Sequence, residues 1–301
     1  LQEMLELDQE SLESFLSSSY KTVASSSSVS ERLNILAYFG GLCKDSNSAN
    51  ILINSSLLHM FVTKLRGTKT ANLKTHFAYV IGALIRHATF IGEDVPKTGI
   101  IDALTESVRD KSEVVRRKSM AALGELLFYI VTQEQEAEEG GMGRPSWYIP
   151  NGTITTIVRL LRNVEDPVTQ HYAVKTLENI FSIGGAWALR LGTHETALSL
   201  VHICTHAKSE HVKVTASSAL ARLYRCTVDK TQMITDKIGM RTIVGFLKEG
   251  NAKVQQHFGS VFILALESAS NKTKNALTDE KSLAVTPVSY THLRAHETAY
   301  Y

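Results

Sequence analysis

One spacing constrains this chain more than any motif does: a long apolar helical pattern returns about every 43 residues. Six small anchors mark it, Ser30, Leu73, Val114, Val168, His211 and Val254, about 43, 41, 54, 43 and 43 residues apart. Counted from each anchor, the positions at plus five, eight, nine and twelve are mostly apolar or small. After Val168 they are Ala173, Thr176, Leu177 and Ile180; after Val114, Ser119, Ala122, Leu123 and Leu126; after His211, Ala216, Ala219, Leu220 and Leu223. At about 100° per residue these offsets make one wide stripe of a helix. A small residue at plus five lets two helix backbones approach closely.

Shorter amphipathic stretches precede the anchors: Leu57–Leu65, Ile100–Val108, Ile154–Leu161, Ala197–Cys204 and Met240–Leu247. Polar turns separate short from long, such as Arg109-Asp110-Lys111, Glu165-Asp166-Pro167 and Glu249-Gly250-Asn251. Asp166-Pro167 reads as a helix start, with Asp as N-cap and Pro at the first helical position. No segment alternates strictly between apolar and polar. A period of about 40–47 residues built from helix pairs or triplets belongs to armadillo and HEAT repeats. The expected fold is therefore all-α, an armadillo/HEAT-type right-handed α-solenoid of about six repeats. In such a stack each repeat leans on its neighbours, and the usual task is binding other proteins.

The organisation expected is an N-terminal helix (Leu1–Leu16) and Ser-rich linker over 1–29, a repeat array over 30–285, and a loop insertion at 131–150 that accounts for the one gap of about 54. The insertion is acidic from Gln133 to Glu139, then Gly-rich, then ends at Pro145. Its acidity offers a dock for a basic partner, although a solvated linker is the commoner meaning of such a run. Residues 286–301 break the repeat phase and resemble a translated adapter tail, so they are set aside as non-native. The chain starts with Leu1 rather than Met and is expected to be a fragment, monomeric and continuing past its last repeat.

Of 301 residues, 44% are hydrophobic, enough for a large core spread along a stack. The net charge of +2 does not argue for nucleic acid or an anionic membrane. No apolar run of about 18 residues suggests a membrane span. Three cysteines, Cys43, Cys204 and Cys226, have neither pair-like nor metal-like spacing, which suits a reducing, cytoplasmic compartment. There is no glycine-rich phosphate loop, no Gly-x-Ser-x-Gly elbow, no Cys-x-x-Cys pair and no kinase catalytic element, so no catalytic residue and no cofactor are expected. His202 and His206, four apart with Cys204 between and His211 beyond, could share a helix face and grip zinc. The Glu a zinc hydrolase needs beside the first His is absent, Ile203 standing there, and the expectation is no metal.

Two patterns point to partner contact. Armadillo importins hold extended peptides with a ladder of asparagines on the inner helix, and Asn179 supplies one rung. The equivalent positions are Gly41, Leu84, Glu125, Arg222 and Ala265, so a ladder is not made. At plus three from the anchors stand Leu33, His76, Arg117, His171, Val214 and His257. His76, Arg117, His171 and His257 are read as a row for an acidic or phosphorylated partner, sensitive to pH through histidine; the bland alternative is a solvated face. The basic run Arg116-Arg117-Lys118 invites the same two readings.

Two blocks carry a family resemblance. Arg109-Asp110-Lys111-Ser112-Glu113-Val114-Val115-Arg116-Arg117-Lys118, running into Ala121–Ile130, resembles the C-terminal armadillo/HEAT region of the fourth unc-51-like kinase and of plant Runkel-type proteins. Trp147-Tyr148-Ile149-Pro150 followed by Glu165–Ile180 is similar to the same region. The likeness covers about 30–283. It implies a piece of a pseudokinase: a non-catalytic scaffold for assembly around microtubules, at the cytoskeleton or cilium base, with microtubule- or kinase-associated proteins as partners. A helical-repeat adaptor for trafficking or transport, unrelated to kinases, is the competing class. A kinase-like lobe in the upstream reading frame would decide for the first.

Overall fold

Local chemistry starts several of the helices. Ser28 accepts the N–H of Glu31 (3.3 Å), Asp45 that of Ser48 (2.8 Å), Ser55 that of Leu57 (3.3 Å), Thr193 that of Thr196 (3.2 Å) and Asn251 that of Val254 (3.0 Å). Each side chain satisfies one of the orphan donors of a first turn. Asp166 caps as the sequence indicates, its carboxylate accepting from the N–H groups of Val168 (3.2 Å) and Thr169 (3.4 Å). The computed structural model describes residues 8–25, 28–140, 147–162 and 166–269, and among these there are helices and no strands. The tail expected at 286–301 lies outside the described residues.

The α-helices are α1 (Gln9–Ser25), α2 (Val29–Leu42), α3 (Ser46–Ile53), α4 (Ser56–Gly67), α5 (Ala71–His87), α6 (Ile100–Ser107), α7 (Glu113–Gly140) and α8 (Asn151–Arg162). They continue with α9 (Pro167–Ile183), α10 (Gly185–Leu191), α11 (His194–His206), α12 (Glu210–Cys226), α13 (Thr231–Ile238), α14 (Met240–Glu249) and α15 (Ala252–Ser268). Short 3₁₀ turns stand at Val95–Thr98 and Val228–Lys230. The repeat is thus a triplet: a short helix, a middle one and a long one, as in α3-α4-α5, α10-α11-α12 and α13-α14-α15. Gly99 (φ 73°) and Gly239 (φ 84°) turn the corner from the first member to the second, a left-handed backbone that glycine adopts without strain. The fold is all-α, an armadillo-type solenoid.

The chain divides into two compact units, residues 1–173 and 174–301, the boundary falling within α9. In the first, long helix packs on long helix, α2 on α5 and α5 on α7, with α3, α4 and α6 behind them. Phe39, Phe61 and Phe77 are fully buried and follow one another at ring-centroid distances of 5.5 and 6.0 Å. Each such burial contributes about 1.5–3 kcal/mol. Gly82 makes the α5–α7 approach possible: a Cβ there would lie 3.0 Å from Ala122 Cβ. Asn50 on α3 and Asn54, which follows its end, clamp the chain at 89–92, Asn50 Oδ1 accepting the N–H groups of Thr89 and Phe90, and Asn54 Oδ1 that of Gly92. In the second unit α12 packs on α15, backed by α11, α13 and α14. There Phe246 stacks on Phe258 at 4.1 Å, and the buried Tyr224 hydroxyl meets Thr235 Oγ1 at 3.2 Å.

Three expectations are corrected, and one element is added. The acidic stretch after Val131 is not a loop: α7 continues to Gly140. Its residues are strong helix formers, and Gln133–Glu136 and Gln135–Glu139 side-chain bonds brace the surface. Residues 141–146 lie outside the described residues. The first helix does not end at Leu16 but reaches Ser25, and Ser28 caps the helix that follows; residues 26–27 lie outside the described residues. A short first helix in each triplet escaped the periodicity because it spans only one or two turns. The register also moves: Leu73, Val115, Thr169, Val212 and Val254 are the buried equivalents, whereas Val114 is 49% exposed and Val168 41%.

Candidate functional site

The residues that the sequence suggests for partner contact all lie on long helices: His76 on α5, Arg117 on α7, His171 and Asn179 on α9, and His257 on α15. In the burial register, His76 is equivalent to Lys118, Tyr172, Thr215 and His257, while Arg117 and His171 fall one position earlier, with Thr75, Val214 and Gln256. The four residues of the row therefore occupy two adjacent stripes rather than one. All four are half-buried.

In the first unit His76 Nδ1 is tied to the Asn72 carbonyl at 2.8 Å. Arg117 is committed to structure: its Nε donates to Asp166 at 2.9 Å and its Nη2 to Glu113 at 2.8 Å. That links α7 to the cap of α9, the helix that carries His171, whose ring lies 6.2 Å from that of Tyr172. Burial by itself would raise the Asp166 carboxyl. Hydrogen bonds from Thr169 and Arg117, with the Arg117 charge, outweigh it and hold the group below the ordinary carboxylate value. On the same face Arg86 grips Glu125 (2.9 Å), and on the turn side Lys74 grips Asp110 (2.6 Å).

Between α2, α5 and α7 lies a cleft of ≈ 420 Å³ lined by Ala37, Gly40, Lys44, His76, Tyr79 and Lys118. The Lys118 ammonium sits over the Tyr79 ring, 5.3 Å from its centroid, a cation–π contact. Gly40 brings the ring this close to α2: a Cβ at 40 would stand 2.7 Å from Tyr79 Cε1.

In the second unit the face is organised around a buried carboxylate. Glu178 accepts from Ser218 Oγ (2.6 Å) and Lys175 Nζ (2.6 Å), with Arg222 at 3.8 Å. Burial pushes its carboxyl up; the bonds from Lys175 and Ser218 and the Lys175 and Arg222 charges overcome that and lower it. His257 shares a 2.8 Å bond with Ser217 Oγ. Burial, helped by Arg222, Arg225 and Lys253 against the attraction of Glu178, holds His257 below the ordinary histidine value, so it charges only at lower pH than a free imidazole. Asn179 is half-buried, in register with Arg222 and Leu264. The offset from the anchors passes over Tyr79, Lys44 and Glu178; Tyr79 has a signal, its equivalence to Ala121, Lys175, Ser218 and Ser260 once burial sets the register, and Lys44 and Glu178 have none.

His202 and His206 are exposed and stack on each other at 4.2 Å, with His206 Nδ1 tied to the His202 carbonyl at 3.0 Å. No group of three or more His, Cys, Asp or Glu among the described residues is arranged to hold a metal ion. No described helix is long and apolar enough to cross a membrane. The described residues form a helical-repeat fold and no kinase fold.

No family model matches the chain. It is 37% identical over 273 residues to the serine/threonine-protein kinase RUNKEL of Arabidopsis thaliana, covering 86% of this chain and 20% of that protein. It is 30% identical over 237 residues to the serine/threonine-protein kinase ULK4 of Mus musculus, covering 78% of this chain and 18% of that protein. The chain thus spans about a fifth of the length of these relatives. Among solved structures, computationally designed armadillo repeat proteins for modular peptide recognition superpose with a TM-score of 0.62 at 18% identity, over 82% of this chain and 98% of that one.

Proposed function

We infer the role of this chain from its kinship: it is an armadillo region of the RUNKEL and ULK4 type, and a helical-repeat, protein-interaction role follows from that fold. The finer reading is that of a non-catalytic scaffold segment of a pseudokinase. It presents its long-helix face to microtubule- or kinase-associated proteins in the cytoplasm, at the cytoskeleton or cilium base. The observation that carries the reading is the 37% identity to RUNKEL across 86% of the chain, in a fold whose designed counterparts are built to recognise peptides. What supports the face itself is chemistry: it carries accessible polar and aromatic side chains, with Tyr79 and Lys118 exposed and His76, His171 and Asn179 half-buried. Arg117 contributes by fixing α9 beside α7 more than by free charge, because both of its ends are engaged.

Co-sedimentation of the purified chain with stabilised microtubules, alone and with microtubule-associated proteins added back, tests the reading. Pelleting that saturates and that weakens when the long-helix face is altered is the expected result. A chain that stays in the supernatant in both arms removes the microtubule role and returns the chain to a trafficking or transport adaptor.

A further inference from the structure

Several cations of unit 1 are tied into the stack. Lys74, Arg86 and Arg117 each end on a carboxylate of the next repeat, at 2.6, 2.5 and 2.9 Å. Lys44 and Lys118 do not: both are exposed, and no carboxylate among the described residues lies within ion-pair distance of either. Both line the ≈ 420 Å³ cleft between α2, α5 and α7, and no acidic residue lines it with them. The rest of the lining is the Tyr79 ring, Ala37 and the bare backbone of Gly40 and Gly41, with Thr75 and His76 at the side. The cleft is an apolar trough with uncompensated positive charge, on the face already read as the partner surface.

We propose that this cleft seats an acidic segment of a partner protein, with separate Asp or Glu carboxylates on Lys44 and Lys118 and the chain between them against Tyr79. Charge complementarity selects the sign of the partner. The form of the cleft selects carboxylates over a phosphate. A phosphate dianion is best held by a bidentate Arg or a helix N-terminus, and the lining has no Arg. A second contribution comes from Lys118, which rests on the Tyr79 ring and so presents its ammonium at the wall of the cleft. The inference rests on the scaffold reading of this face and narrows it to one partner chemistry.

The test is fluorescence anisotropy with fluorescein-labelled hexaglutamate, with hexaglutamine and a single-phosphoserine peptide as comparisons. Hexaglutamate is expected to bind and hexaglutamine not. K44E/K118E should weaken hexaglutamate by about tenfold or more, while K248E/K253E, an equal change of net charge on exposed lysines of the second unit, should leave it within about twofold. Circular dichroism confirms that both variants fold. Equal losses in the two double variants, no loss in K44E/K118E, or tighter binding of the phosphoserine peptide overturns the proposal. Microtubule co-sedimentation of the same proteins reads the scaffold role separately. Retained pelleting with charge-insensitive hexaglutamate binding removes the cleft and leaves the role; lost pelleting with hexaglutamate binding that depends on Lys44 and Lys118 does the reverse.

Discussion

Asp166 holds two functions that one atom's change separates. It is 4% exposed, caps α9 through the N–H groups of Val168 and Thr169, and accepts the Arg117 guanidinium at 2.9 Å. Asn caps a helix as well as Asp does, so Asp166→Asn keeps the cap and removes the charge, while Asp166→Ala removes both. A charged hydrogen bond contributes about 1.5–3 kcal/mol and a neutral one about 0.5–1.5, so Asn should cost about 1 kcal/mol. Alanine loses the cap, about 1 kcal/mol, and the whole charged bond, about 3 kcal/mol in all. The lower end applies, because Arg117 is a third exposed and keeps Glu113 as a second partner. Urea unfolding followed by circular dichroism reads both, and a double-mutant cycle with Arg117→Gln should return a coupling of about 1 kcal/mol. The sign with pH follows from the lowered carboxyl: the stabilisation is complete above the ordinary value of 3.8 and disappears as pH falls through the still lower folded value. Wild type and Asp166→Asn should therefore converge only below about pH 3.8. Equal costs for Asn and Ala, or no coupling to Arg117, would refute the division of labour.

Three further outcomes are expected. Glu178→Gln should cost about 1 kcal/mol, since the amide still accepts from Ser218, and Glu178→Leu about 2–3 kcal/mol, since the buried Ser218 hydroxyl then loses its acceptor; the gap to wild type narrows below pH 4.5, where the depressed carboxyl begins to protonate. Gly82→Val should destabilise the first unit by about 1–3 kcal/mol in thermal melts, because even a Cβ stands 3.0 Å from Ala122 and the α5–α7 approach must widen. Burial pushes the thiols up, Cys43 and Cys204 to about 12 and Cys226 to about 11, so a thiol reagent at pH 8 should label the folded chain slowly and all three cysteines at once in urea.

The period was legible because armadillo stacking repeats one burial problem, and the same solution recurs in primary structure at Leu73, Val115, Thr169, Val212 and Val254. The register was one residue out in the middle repeats because Val114 and Val168 are apolar yet exposed, each immediately before the buried residue; hydrophobicity alone cannot choose between neighbours. The Asp166 cap was legible since it is local, three residues at most. Its bond to Arg117 was not, because that partner is 49 residues away. One signal did exist: Lys74–Asp110, Arg86–Glu125, Ser217–His257 and Glu178–Ser218 all span 36 to 40 residues, close to one repeat, so pairing each charged or polar side chain with the chain one period on would have found them. The cleft stayed hidden for the same reason. Its lining comes from three successive long helices, and Lys44 follows the end of one rather than lying on it. The acidic extension of α7 resembles a loop by its charge density, but the helix propensity of Glu, Gln and Ala prevails there.

The central claim is that the exposed face of the long helices meets the partner. A photo-crosslinking amino acid placed at Tyr79, on α5 within the cleft, and in a separate protein at His59, exposed on the middle helix α4, tests it against a microtubule-protein preparation. Crosslinks at 79 that excess hexaglutamate suppresses, with none at 59, are the expected result. Crosslinks at 59 with 79 silent would place the contact on the other helices and contradict the account.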